Sequence, residues 1–450
     1  MLKKIILSFS IFIISNGFIY SQNFVVGYYP DWLKSALPPQ SIKFENLTHI
    51  IHAFAWPQSN GEIQMYSGML NPNLNNAVHN AGKKILLAFG GWGNSSGFAA
   101  MVADSISRTN FIDNVLELLQ QNEYDGVDFD WEFPANITEG KGLTKLVSEM
   151  RQKFNQVDSS LLITMAVSSG SYSGQNFEYE KMYPDIIFFS MMGYDFHGSW
   201  TGHAGHNAPL YQPSNCFDGC DDLGIKYLTI NRKIPKHKLL LGVPFYGKEF
   251  YASGLYMPKT GTVTDLTYTD IAPRLSNTSW EYYWDSFSKV PYLQNTVKTR
   301  LVTFDDTVSI RYKCEYVVNN QLKGIMIWAL GQDIYANSQP LLATIGKEMG
   351  LVTSISEFKD EVVSDYHLYN NFPNPFNPST KIRFSIPQNS FIKLAVYDVF
   401  GQEVEVLIEK NMNTGSCEVI FNAFNLSSGF YIYTLISGDY VESKKMLLVK

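Results

Sequence analysis

The sequence is short of charge. Charged side chains make up 17% of the 450 residues, 42 Asp and Glu against 35 Lys and Arg, with a formal net charge of -7 and no basic tract. That balance excludes a polyanion-binding surface, so neither nucleic acid nor an anionic membrane is an expected partner. Cysteine is scarce as well: Cys216, Cys220, Cys314 and Cys417 are the four. Cys216 and Cys220 flank Phe217-Asp218-Gly219 and could close a small loop, while a metal site would need more ligands than this pair offers. Cys314, in a helix-like stretch, reads as a buried thiol. No metal and no organic cofactor is implied. The apolar run near the start, 5–14, is too short to span a bilayer. Lys3 and Lys4 precede it, Ser15-Asn16-Gly17 break it, and Ser21 is a small residue suited to cleavage. Residues 1–21 therefore read as a secretory signal rather than an anchor, and no transmembrane segment is expected in the mature chain. No Cys follows the run to carry a lipid, and export permits disulfides.

Apolar and aromatic side chains are plentiful. Hydrophobic residues reach 45% and aromatics 14%, with 27 Tyr, 30 Phe and 8 Trp. The chain can bury a sizeable core in two or three domains. Aromatics at this level also suit surfaces that stack on flat partners, sugar rings among them.

From 24 to about 349, short β-rich runs alternate with helical stretches. The predicted strands are 24–29, 48–55, 84–90, 125–132, 161–167, 185–192, 238–244 and 324–330; helices such as 110–121, 143–154 and 308–319 lie between them. Most of the strands are nearly continuous apolar runs, as parallel strands covered on both faces should be. Eight such units fit a (β/α)8 TIM barrel better than an open sheet. Residues 248–301, rich in Tyr and Trp, exceed one crossover and read as a small α+β insertion between strands seven and eight. Residues 350–366 read as a linker, and 367–450 as a C-terminal Ig-like antiparallel β-sandwich. The catalytic domain is placed at 22–349.

One stretch of this barrel concentrates acid. In Asp125-Gly126-Val127-Asp128-Phe129-Asp130-Trp131-Glu132, carboxyls alternate with large apolar groups. On a strand, Asp128, Asp130 and Glu132 share one face, with neighbours roughly 6.6 Å apart. At an effective dielectric near 20, two such charges repel by roughly 2.5 kcal/mol, so one of the three should hold a proton near neutral pH. A protonated carboxyl beside ionised ones is what acid catalysis needs. A solvated polar face is the plain alternative, but a central parallel strand has none. Its acids must point into the barrel or emerge at its C-terminal rim, where barrel enzymes keep their active sites. Asp125, at the start of the strand, reads as structural.

These eight residues resemble the strand signature of glycoside hydrolase family 18, the chitinase family. Further likenesses follow in order: Val26-Gly27-Tyr28-Tyr29 with Trp32, Thr48-His49-Ile50 leading to Phe54, Phe89-Gly90-Gly91-Trp92, Met192-Gly193-Tyr194-Asp195, Pro244-Phe245-Tyr246-Gly247 and Trp328. The resemblance implies a retaining hydrolysis of β-1,4-linked N-acetylglucosamine in which the substrate assists. Glu132 would be the general acid, Asp130 the partner of the acetamido N–H and Asp128 its support. Tyr194 would hold the acetamido oxygen. Asp195 and Met192 would line the reacting subsite over a Trp328 floor, with Tyr28, Trp32, Phe54, Trp92 and Tyr246 as candidates for stacking along the cleft. Two positions depart from the family's usual residues: Ala88 stands where Ser is common, and Lys248 where Arg is common. Lysine keeps the charge but lacks the bidentate fork.

The tail resembles a type A C-terminal sorting domain of the type IX secretion system, through Asn371-Phe372-Pro373-Asn374-Pro375-Phe376-Asn377-Pro378, Tyr397-Asp398-Val399-Phe400-Gly401, Leu426-Ser427-Ser428-Gly429-Phe430-Tyr431 and Lys444-Lys445-Met446. A carbohydrate-binding sandwich is the competing reading. The sequence thus leads to a secreted or surface-held monomeric chitinase whose partners are chitin or N-acetylglucosamine oligomers and the type IX machinery. Rivals are an endo-β-N-acetylglucosaminidase acting on N-glycans, a non-catalytic chitin-binding lectin and a surface attachment protein.

Overall fold

A computed structural model describes residues 23–212, 218–352, 355–358, 365–423 and 426–449. The expected signal segment 1–21, Cys216 and much of the expected linker lie outside the described residues. The chain forms two compact units, one covering 23–354 and the other including 355–450.

The first unit is a closed barrel of eight parallel strands: Phe24–Pro30, His49–Pro57, Lys84–Gly90, Gly126–Asp130, Leu162–Ser168, Phe189–Met192, Leu239–Pro244 and Gly324–Trp328. Each pairs with the next, and the eighth closes on the first. A short strand, Ile63–Met65, extends the second strand's far end as an antiparallel hairpin. Helices cover the outside. The three longest begin at side-chain caps: Asp104 for Ser105–Asn122, Asn136 for Ile137–Val157 and Asp306 for Thr307–Asn319. Each cap oxygen takes backbone N–H groups that the first turn leaves without partners. The apolar stripe Leu143, Leu146, Val147, Met150 and Phe154 then buries against the barrel.

The barrel interior is lined by Val26, Tyr28, Ile51, Ala53, Phe54, Leu86, Ala88, Phe188, Leu240 and Met326. Small residues at Ala53 and Ala88 leave room there. The fourth strand is shorter than the alternation predicts. It stops at Asp130, and Trp131 and Glu132 follow outside the ladder. The third strand ends beside it at Gly90, whose φ of +117 turns the chain away. The Gly91 N–H then donates to the Asp130 carbonyl at 2.8 Å and closes the pairing. Similarly, the eighth strand stops at Trp328 and the sixth starts only at Phe189.

Between the seventh and eighth strands stands a five-stranded antiparallel sheet made of Tyr246–Tyr251, Thr260–Thr267, Trp280–Asp285, Val290–Asn295 and Leu301–Thr303. Its first strand follows directly on the seventh barrel strand, so whatever that strand carries is fixed to the barrel rim. Phe250, Leu301 and Ala252 form a small core that also takes in Ala204 from the loop after the sixth strand.

The second unit is a sandwich of two four-stranded antiparallel sheets. Ile355–Phe358, within the stretch read as a linker, instead adds an edge strand against Gly415–Asn422. An open sheet edge offers unpaired N–H and C=O groups that such a segment satisfies. The core interleaves Phe384, Val419, Leu394, Tyr433 and Leu435. Asn371 of the Asn-Phe-Pro motif is buried and donates through Nδ2 to Thr380 Oγ1 at 2.9 Å and to the Pro373 carbonyl at 3.1 Å.

Gly90 gives the fold its sharpest local test. A Cβ there would lie 2.2 Å from the Asp130 carbonyl oxygen at a left-handed φ. Gly90→Ala should destabilise the barrel by about 3 kcal/mol in urea unfolding. An unchanged midpoint would show that this turn is not constrained.

Candidate active site

The acidic face of the fourth strand points into the barrel, and its apolar face packs outward. Val127, Phe129 and Trp131 are buried, with Trp131 stacked on Phe98 at a centroid distance of 5.1 Å. Asp128 is fully buried. Tyr28 Oη donates to its Oδ2 at 2.6 Å and Thr164 Oγ1 to its Oδ1 at 2.6 Å, so both oxygens are satisfied. Thr164 stands beside Asp128 in strand register. Asp130, 5% exposed, has no such support, and its Oδ1 is buried without a hydrogen-bond partner. Glu132 is half-buried just beyond the strand, its backbone N–H donating to Ser95 Oγ at 3.1 Å.

Burial and mutual repulsion set the proton affinities. Burial pushes Asp128 up to about 6, against the stabilising hydroxyls of Thr164 and Tyr28. Burial, and then the charges of Glu132 and Asp128, hold Asp130 well above the ordinary carboxyl range. Burial, and then the charge of Asp195, raise Glu132 to about 7, although the Trp92 backbone N–H pulls the other way. Tyr194 is raised well above its usual value by burial, and then by Asp130 and Glu132, so its hydroxyl remains a proton donor. Three acids with high proton affinity and a neutral phenol therefore meet at one end of the barrel. Such a site can deliver a proton while keeping negative charge beside it.

The remaining sequence-predicted residues fall into two groups. Asp195, at a φ of +62, accepts from Tyr246 Oη at 2.6 Å and pairs with Lys248 Nζ at 2.9 Å. Lys248 is itself buried and also bonds Asp265 at 2.8 Å. Tyr194 and Tyr246 meet edge to face at 6.0 Å. Trp328 stacks on Phe54 at 5.7 Å, with Tyr28 edge-on at 5.5 Å, and half-buried Met192 packs against this interior cluster. Trp32 and Trp92 are open, at 52% and 82% exposure. Tyr28 and Phe54 differ from the expectation of a cleft wall. Both are buried, and Tyr28 serves Asp128 through its hydroxyl. Ala88, in register with Asp128, offers it no hydroxyl.

Sequence reasoning overlooked several neighbours. Thr164 carried a signal, as a polar residue inside an apolar strand. Trp56 and Tyr66 extend the aromatic row: Trp328 to Trp32 at 6.4 Å, Trp32 to Tyr66 at 5.8 Å, Tyr66 to Trp56 at 5.3 Å. Tyr66 follows directly on the hairpin strand Ile63–Met65, which the sequence reading did not resolve. Trp200, exposed, has its ring centroid 5.4 Å from Lys248 Nζ.

Comparison with known proteins agrees with this geometry. Residues 24–333 match the model of the glycosyl hydrolases family 18, and residues 370–450 match that of the secretion system C-terminal sorting domain. A Caenorhabditis elegans protein named "Probable endochitinase" is 30% identical over 67% of this chain and 55% of its own length. Chitinase A1 of Niallia circulans is 29% identical over 58% of this chain and 41% of its own. The chain thus spans about half the length of these two relatives. The crystal structure of Ostrinia furnacalis Group IV chitinase in complex with allosamidin superposes with a TM-score of 0.67 at 26% identity, covering 73% of this chain and 99% of that one. With the barrel, its acidic strand and the match over 24–333 in agreement, the chain belongs to glycosyl hydrolase family 18.

Proposed function

We propose that this protein is a secreted chitinase that hydrolyses β-1,4-linked N-acetylglucosamine with retention of configuration, through assistance by the substrate's own acetamido group. The observation that carries this reading is the buried, partnerless Asp130 Oδ1 between Asp128 and Glu132. A buried acceptor without a donor is costly unless a ligand supplies one, and an acetamido N–H is such a donor. Glu132 protonates the glycosidic oxygen as the bond to the anomeric carbon breaks. The acetamido oxygen attacks that carbon, and an oxazolinium ion forms. Asp130 holds the acetamido N–H and offsets the positive charge, while Asp128 shares charge and proton with it. Tyr194 donates to the acetamido oxygen and fixes it for attack. Water then opens the ring, losing a proton to the Glu132 carboxylate, which restores the acid.

The exposed Trp32, Trp92 and Trp200 favour a linear sugar chain that stacks on a series of indole faces. The chitinase names of the two relatives favour the same substrate. The chain acts as a monomer, and its tail directs export through a type IX machinery to the medium or the outer cell surface.

Glu132→Gln should lower turnover of chitin oligomers by about 10²–10⁴-fold while leaving oligomer binding largely intact. Near-native turnover would remove Glu132 from the acid role. Asp130→Asn and Tyr194→Phe should also slow the reaction through poorer acetamido positioning. The pH–rate profile should be bell-shaped. The rate falls as pH rises through about 7, where Glu132 loses its proton, and falls again as pH drops below about 6, where Asp128 gains one. Glu132→Gln should erase the alkaline limb from the residual rate.

Fully deacetylated chitosan should be hydrolysed very poorly, since it lacks the nucleophile; rapid cleavage would exclude substrate assistance. Products from chitin oligomers and from an N-glycoprotein, measured side by side, separate this reading from an N-glycan endo-glycosidase. Mass spectrometry of the secreted protein tests the tail. A mass lacking about 80 C-terminal residues supports a removable sorting domain, and retention through Lys450 opposes it.

A further inference from the structure

A second cluster of chemically capable side chains stands on the cleft wall, apart from the acids of the fourth strand. His197 lies just past the sixth strand, His203 in the loop that follows, and Asp218 where the chain approaches the helix Asp221–Lys226. One ligand atom from each lies within 4.8 Å of the others. Asp218 Oδ2 is 2.9 Å from His197 Nε2 and 2.8 Å from His203 Nε2. The three come from separate turns of chain, so this convergence is a product of the fold rather than of local sequence.

The hydrogen bonds around His197 specify its tautomer. Its Nδ1 lies 2.8 Å from the His206 carbonyl oxygen. A carbonyl only accepts, so Nδ1 carries the hydrogen, and a neutral ring then turns the Nε2 lone pair toward Asp218. Two acceptors would face one another at 2.9 Å. A cation between them turns that repulsion into ligation. The Nδ1–H to backbone carbonyl bond is also the support that metal-binding imidazoles commonly use. The ring is buried, His203 is half-buried and Asp218 is exposed, so the cluster has one closed side and one open to water.

We propose that His197, His203 and Asp218 bind one zinc ion, which braces the cleft wall and takes no part in the chemical step. Two imidazole nitrogens and one carboxylate oxygen suit zinc, with water in the fourth position. In a tetrahedral site with bonds of about 2.0–2.1 Å, ligand atoms stand roughly 3.3 Å apart, so the exposed Asp218 carboxylate would retreat by about half an ångström. The ion would tie the start of the loop after the sixth strand to its His203 turn and to the segment leading into the helix Asp221–Lys226. Asp195 lies two residues before His197. The His203 loop is tied to the insert by Ala204 N–H to the Met257 carbonyl at 3.0 Å and Tyr256 N–H to the Ala204 carbonyl at 3.0 Å. Trp200 lies on the same loop.

The test uses the full chain, stripped by dialysis against a chelator and then titrated with zinc ion in a calorimeter, with elemental analysis of the product. About one zinc per chain is expected, and saturating zinc should raise Tm. His203→Gln and Asp218→Asn should each weaken zinc binding by roughly 100-fold or more and abolish the rise in Tm, with circular dichroism unchanged. Absence of stoichiometric zinc in the wild-type chain would overturn the proposal in favour of an imidazolium–carboxylate pair, and that result stands even where a variant fails to fold. Zinc binding undiminished in both folded variants would overturn it too, by placing the ion on other histidines.

Discussion

A carboxylate moved from water into a protein interior loses hydration worth several kcal/mol, and this barrel imposes that loss at Asp128 and Asp130 of one strand. The surroundings answer unequally. Asp128 receives two hydroxyl donors, one from the first strand and one from the fifth. Asp130 receives none at Oδ1. Because Asp128 is satisfied and Asp130 is not, the strand carries a graded row rather than three equivalent acids. The small Ala53 and Ala88 and the edge-on aromatics Tyr28 and Trp328 belong to the apolar cluster around that row. A well-paired Asp130 would be more comfortable and would have nothing to offer a ligand.

The insert supplies the other half of the site by geometry rather than by charge alone. Its first strand begins where the seventh barrel strand ends, so Tyr246 and Lys248 are carried to the rim on a continuous piece of backbone. They grip Asp195 from two directions, and Lys248 is held in turn by Asp265 on the next strand of the insert. An ammonium can serve both carboxylates as a point charge without the planar demands of a guanidinium. Lysine in place of arginine is thus compatible with the wall, while the pattern of donors it presents to the cleft is narrower.

Much of the barrel was legible because parallel strands covered on both faces must be apolar throughout, and eight such runs stand out between helical stretches. The alternation at 125–132 revealed which face carried the acids, since side-chain direction on a strand follows from period two. Its end did not show, because Asp130 is the last paired residue for a reason outside the stretch, the left-handed turn at Gly90 on the neighbouring strand. The same limit hid Thr164, whose importance depends on cross-strand register, and Tyr66, which joins the aromatic row just past a three-residue hairpin strand. Tyr28 was visible as a barrel residue, but its hydroxyl partner lies 100 residues away. His203 and Asp218 could not be linked from spacing at all, since only the closed fold brings their loops together.

The barrel and the sandwich each close a hydrophobic core from their own stretch of chain. In the tail that self-sufficiency extends to the sorting motif, where Asn371 is fastened by Thr380 and by the Tyr433 hydroxyl, all from the same unit. Heredity can act on such a segment separately. A recombination event that copies it behind another gene carries the motif together with the residues that hold it.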